Sequence, residues 1–129
     1  MKVVSVIGAR PQFVKAAVVS SALREGYGAE EYLLHTGQHF DDNMSRVFFE
    51  EMGIPKPDAN LGISGGRHGA MTGAMLTEIE KILECERPDW ILIYGDTNST
   101  LAGALAAAKL HLPCAHVEAG LRSDNRAMP

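Results

Sequence analysis

The 129-residue sequence contains no apolar run of about 18 residues, so no membrane-spanning helix is expected. The apolar stretch near the start is too short for a secretory signal, and no small-residue cleavage site follows it, which predicts a cytoplasmic protein. Cysteine is scarce. Cys85 and Cys114 lie far apart and form no CxxC pair, which argues against a zinc site or a redox motif and predicts two reduced thiols packed as small hydrophobes. No block of Lys and Arg occurs and the formal net charge is −4, so nucleic acid is not an expected partner. A small anion remains open, because a few placed arginines and helix N-termini suffice to hold one. Neither a GxGxxG turn nor a P-loop is present, so nicotinamide cofactors and ATP-type cradles are unsupported and no cofactor is expected.

What is present is 46% hydrophobic residues in a length that suits one domain, residues 1–129. Lys2 to Ile7 is β-branched and almost wholly apolar, as a strand buried on both faces would be. Gly8-Ala9-Arg10-Pro11 breaks it, and Pro11 suits the first turn of a helix that runs to Gly26. Glu31 to Thr36 reads as a second strand. A helix starting at Asp41 or Asp42 carries Met44, Val47, Phe48 and Met52 on one face. A glycine-rich loop from Gly62 to Gly69 precedes a helix over Ala70 to Glu84. Trp90 to Tyr94 is a buried strand, Leu101 to Leu110 an Ala-rich helix, and Pro113 to Val117 a last strand. Strands alternating with helices predict βαβ units: an α/β, Rossmann-like parallel sheet with helices on both faces.

In open parallel sheets, ligands bind beyond the carboxyl ends of the strands. Three polar clusters fall there. Gly8 to Pro11, with Lys15 a turn later, offers a helix N-terminus and two fixed positive charges, Arg10 and Lys15, to an anion. The competing reading is a plain strand-to-helix turn with Arg10 exposed. Gly95-Asp96-Thr97-Asn98-Ser99-Thr100 supplies more polar groups than one helix cap needs, which favours a polar ligand site. His116 and Glu118 stand two apart at the end of the last strand, a spacing that points both to one face. No third metal ligand accompanies them, so proton chemistry is preferred and no metal is expected. If the strands before Asp96 and Glu118 are neighbours, the two carboxyl groups converge, and close carboxylates separate into one acid and one base. An ion pair between Glu118 and Arg122 or Arg10 is the structural alternative. Gln38-His39, at the end of the second strand, is a further candidate ligand contact.

Four segments, Gly8 to Lys15, Thr36 to Asp41, Gly95 to Thr100 and His116 to Arg122, stand in order and together resemble the UDP-N-acetylglucosamine 2-epimerases. The resemblance implies the N-terminal half of a two-domain, GT-B-type fold, with the UDP-binding C-terminal half absent and the fragment inactive alone. It implies a UDP-sugar substrate and epimerisation at C2 by elimination of UDP to a glycal and re-addition. Asp96 and Glu118 would be the acid/base residues. Arg10 and Lys15 would meet the diphosphate, and Gln38, His39, Thr97, Asn98 and Arg122 would contact substrate. A homodimer is the family's usual assembly. The residues after Gln38-His39, and the loop with Arg67 and His68, look more like the subgroup acting on UDP-diacetamido-sugar acids. A hydrolysing 2-epimerase shares the elimination step. A GT-B glycosyltransferase and a non-catalytic nucleotide-sugar sensor fit the paired acids less well.

Overall fold

The computed structural model describes residues 1–37, 50–51 and 53–127, with the side chains of residues 10 and 11 outside that description. Five strands form one parallel sheet: β1 (Lys2–Ile7), β2 (Glu30–His35), β3 (Ala59–Asn60), β4 (Trp90–Tyr94) and β5 (Cys114–Val117). Helices among the described residues include α1 (Arg10–Ser21), α2 (His68–Glu86) and α3 (Asn98–Lys109), and α1 runs on into a π-helical turn over Ala22–Gly26. The strand order is β3-β2-β1-β4-β5. The chain therefore moves outward from β1 first on one side and then on the other. The reversal leaves a crevice beyond the carboxyl ends of β1 and β4, where open α/β sheets take their ligands.

The alternation along β1 sorts the core. Val3 and Ile7 join Phe13 and Ala16 of α1, Leu33, Leu92 and Tyr94 on one face. Val4 and Val6 join Met75, Ile79 and Leu83 of α2 and Ala102, Ala106 and Ala107 of α3 on the other. Met75, Ile79 and Leu83 repeat every four residues, so one stripe of α2 is buried, each side chain contributing roughly 1.5–3 kcal/mol. The small residues of α3 let it lie close to the sheet: a Cβ added at Gly103 would stand 3.0 Å from Ile93 Cγ2. α2 ends where Arg87 turns left-handed (φ 46°) and its N–H meets the Leu83 carbonyl at 2.9 Å, just before Pro88.

The predicted elements appear with modest shifts. The first two strands, Trp90–Tyr94 and the last strand stand within one residue of their expected ends. α2 and α3 begin two and three residues earlier than expected, because His68 and Asn98 already lie in helical turns. β3 has no counterpart among the expected elements; two residues, paired as Leu34 with Ala59 and His35 with Asn60, carry no readable alternation. The helix expected from Asp41 or Asp42, with Met44, Val47, Phe48 and Met52, falls largely outside the described residues. Both cysteines are free as expected, but they are exposed rather than packed. Cys85 sits near the outer end of α2, and Cys114 starts the edge strand β5, whose one side has no neighbour among the described residues. No described helix is long and apolar enough to cross a membrane.

Candidate active site

β4 and β5 are neighbours, with Tyr94 opposite Val117. The residues just past their ends therefore emerge side by side, and this brings Asp96 and Glu118 to one place. Both line a pocket of about 610 Å³ together with Gly95, His116, Arg122 and Arg126. That volume lies within the roughly 300–1,000 Å³ of small-molecule sites.

Each acid is held by a different device. Asp96 follows Gly95, whose φ of 68° makes the chain turn sharply off β4. The turn is then fixed from below. Thr100 Oγ1 donates to the Tyr94 carbonyl, 2.5 Å away, and accepts from the Thr97 N–H at 3.1 Å. His116 Nε2 meets the Gly95 carbonyl at 2.6 Å, so it acts as the donor there. Glu118 itself sits at φ 69°, a left-handed conformation that a residue with a Cβ adopts at a cost of about 1–2 kcal/mol. Its carboxylate is ion-paired with Lys15 of α1, and both side chains are about one-third exposed. The structural alternative is an ion pair with Arg122 or Arg10; among the described residues the partner is Lys15, and the Arg10 side chain lies outside them. Arg122 instead donates to the carbonyls of Ala119 and Leu121, each at 2.7 Å.

The polar excess of the Asp96 turn divides in two. Ser99 and Thr100 are buried, and Ser99 Oγ lies 2.7 Å from Thr36 Oγ1. These hydroxyls hold the turn to the sheet. Gly8 lies over that pair; a Cβ there would come within 2.2 Å of Ser99 Oγ and 2.4 Å of Thr36 Oγ1, so only glycine permits the approach. Thr97 caps α3 and its hydroxyl lies 3.2 Å from that of Thr100. Asn98 Nδ2 lies 3.0 Å from His68 Nδ1, which ties the start of α3 to the start of α2. Gln38, His39 and the side chain of Arg10 lie outside the described residues.

Two residues here have roles that sequence reasoning missed. His116 reads from its spacing as a possible metal ligand, yet its ring bonds the Gly95 carbonyl, and no group of three metal-ligating side chains occurs among the described residues. Gln12 stands out in the sequence only as part of a motif. It is 3% exposed; its Oε1 accepts from Gly8 N–H (2.9 Å) and Ala9 N–H (3.2 Å), and its Nε2 donates to the Tyr94 carbonyl (2.8 Å) and Thr97 Oγ1 (3.1 Å). A Gln at the third position of a helix is the signal that could have found it, since that side chain can reach back to the preceding N–H groups.

Residues 21–129 match the family model for UDP-N-acetylglucosamine 2-epimerase. Over 129 residues the chain is 64% identical to the UDP-2,3-diacetamido-2,3-dideoxy-D-glucuronate 2-epimerase of Pseudomonas aeruginosa, covering all of this chain and 36% of that protein. The crystal structure of the Methanocaldococcus jannaschii UDP-GlcNAc 2-epimerase in complex with UDP-GlcNAc and UDP superposes with a TM-score of 0.93 at 47% identity, over 100% of this chain and 35% of that one. The Neisseria meningitidis UDP-GlcNAc 2-epimerase bound to UDP-GlcNAc gives 0.87 at 33% identity, over 97% and 33%. The chain thus spans about a third of the length of these relatives. The match over most of the chain, on the same fold, shows that it belongs to the UDP-N-acetylglucosamine 2-epimerase family.

Proposed function

We propose that this chain is the N-terminal half of an enzyme that inverts C2 of a UDP-linked 2-acetamido sugar, with Asp96 and Glu118 as its acid/base pair. The observation that carries the reading is that Asp96 and Glu118 both line one pocket at the ends of neighbouring strands. The C2 hydrogen is too weakly acidic for simple removal. Elimination solves this: a base takes the C2 proton, the C–H electron pair forms a C1–C2 double bond, and the C1–O pair leaves with UDP. UDP then adds back at C1 while an acid protonates C2 from the opposite face. Two carboxyl groups supply base and acid, and cations oppose the charge growing on the diphosphate. Arg10 and Lys15 serve the second need in this reading, and Gln38, His39, Thr97, Asn98 and Arg122 contact the substrate. The uridine-binding half of the cleft lies on a second domain, so the 129-residue chain alone is inactive.

The greater identity to the P. aeruginosa relative favours a diacetamido-sugar acid over UDP-GlcNAc as the substrate. A homodimer is the assembly in this reading, and it rests on the family resemblance alone. The reading places the enzyme in the cytoplasm. The full-length protein is to be incubated in heavy water with each UDP-sugar in turn. Deuterium at C2 with UDP still attached is expected. Free UDP with label marks the hydrolysing variant, and neither label nor product with either sugar rejects epimerisation.

A further inference from the structure

Gln12 lies beneath the two loops that frame the crevice. One follows β1 and carries Arg10; the other follows β4 and carries Asp96. Its amide uses every hydrogen-bonding position it has. Two N–H groups of the first loop fill the oxygen, and the nitrogen spends both hydrogens on a carbonyl and a hydroxyl of the second. The orientation is fixed, because a flipped amide would set its NH2 against two donors and its oxygen against a carbonyl. The residue is 3% exposed, so water is a poor substitute for any of these partners. One side chain thus bonds both loops at once. Apolar packing could fill the same space, but it would not fix the distance between the loops.

We propose that Gln12 is a positioning residue that sets the separation of the Arg10 loop and the Asp96 turn. Naming Asp96 as the group whose placement matters rests on the function proposed above. The tie between the loops does not rest on it, and the test reads the two separately. In the full-length protein, Gln12→Met keeps the volume and removes all four bonds. Hydrogen exchange at the Gly8 and Ala9 amides and through residues 95–98 is expected to speed up by roughly tenfold or more, with the β1 and β2 amides unchanged. Turnover is expected to fall by about 10–100-fold with little change in KM. Asp96→Asn is then expected to cost at least about tenfold less in the Gln12→Met background than in the parent, because a misplaced acid has less to lose. Gln12→Asn, one methylene shorter, gives the same reading if the first variant fails to fold. Gln12→Glu keeps an accepting oxygen for Gly8 and Ala9 but sets its other oxygen against the Tyr94 carbonyl, so it is expected to speed exchange through residues 95–98 more than at Gly8 and Ala9 and not to restore turnover. Unchanged exchange at both loops overturns the tie. Faster exchange with strictly additive losses overturns the positioning role. A parent enzyme that labels no sugar defeats the functional reading alone and leaves the exchange result to decide the tie.

Discussion

Glu31 and Glu118 are both paired with cations, and they differ in every other respect. Glu31 on β2 has a side chain with no exposed surface. Its oxygens accept from Ser5 Oγ at 2.6 Å, Ser20 Oγ at 3.0 Å and Arg24 Nε at 3.0 Å, and Arg24 also reaches the Glu31 carbonyl. Glu118 is one-third exposed, has Lys15 as its ion-pair partner, and stands on left-handed backbone at the mouth of a pocket. A buried charge must have its lone pairs filled, or it unfolds the protein. A carboxylate meant to exchange protons with a ligand must keep some free. The number of bonds already made, rather than the presence of an ion pair, separates the structural acid from the candidate catalytic one.

The largest expected effect is on turnover. Asp96→Asn and Glu118→Gln in the full-length enzyme are each expected to lower kcat by roughly 10²–10⁴-fold without loss of fold. Glu31→Gln is expected to do the reverse, damaging stability first. Steady-state kinetics beside thermal unfolding of the three variants checks this, and a Glu118→Gln enzyme with parental kcat breaks the distinction.

Replacing the cations sharpens it. Arg24→Met strands a fully buried carboxylate on two serine hydroxyls and is expected to cost about 3–5 kcal/mol in chemical denaturation. Lys15→Met removes the partner of a half-open pair and is expected to cost no more than about 1 kcal/mol. Its effect falls on catalysis instead. Equal losses of stability from the two would mean that Glu118 is as structural as Glu31.

The contrast is only partly legible in the sequence. The sheet is, because β1 and β4 are short, largely apolar runs with several β-branched residues and α2 repeats Met75, Ile79 and Leu83 at helical spacing. The meeting of Asp96 and Glu118 follows once their strands are taken as neighbours. Glu31 gives no sign, since a charged residue starting a strand looks solvated, and its partners Ser5, Ser20 and Arg24 come from β1, α1 and the π-helical turn. The Lys15 pairing is hidden for a related reason: it depends on how α1 crosses the sheet, which places a helix side chain beside the end of β5. Ser99 and Thr100 look like surplus ligand groups in the sequence, although burial commits them to the sheet.

Backbone strain offers a smaller test. Glu118→Gly removes the carboxylate and relieves the cost of φ 69° in one step. Turnover is expected to vanish while stability holds or rises by up to about 1 kcal/mol. A clear loss of stability would show that the Glu118 side chain, through Lys15, supports the fold after all.

The smallest effect concerns the buried face that Glu31 shares with Tyr94. The Tyr94 hydroxyl is buried with no hydrogen-bond partner among the described residues. Burial first, and the nearby Glu31 charge second, push its phenol well above the ordinary value near 10. In the unfolded chain the phenol ionises near pH 10, whereas in the folded chain it stays protonated well beyond that. Stability from this group is therefore complete below pH 10 and drains away as pH rises above it, by up to about 1.4 kcal/mol per pH unit. Tyr94→Phe has no proton to lose and no hydroxyl to strand. It is expected to gain about 1 kcal/mol at neutral pH, and its advantage over the parent should widen above pH 10. Tyr32, raised mainly by burial in the same direction, is present in both proteins and cancels in the difference. Parallel stability curves from pH 8 to 11 would mean that the phenol ionises as readily inside as outside, and that the Glu31 side of the sheet is wetter than its packing suggests.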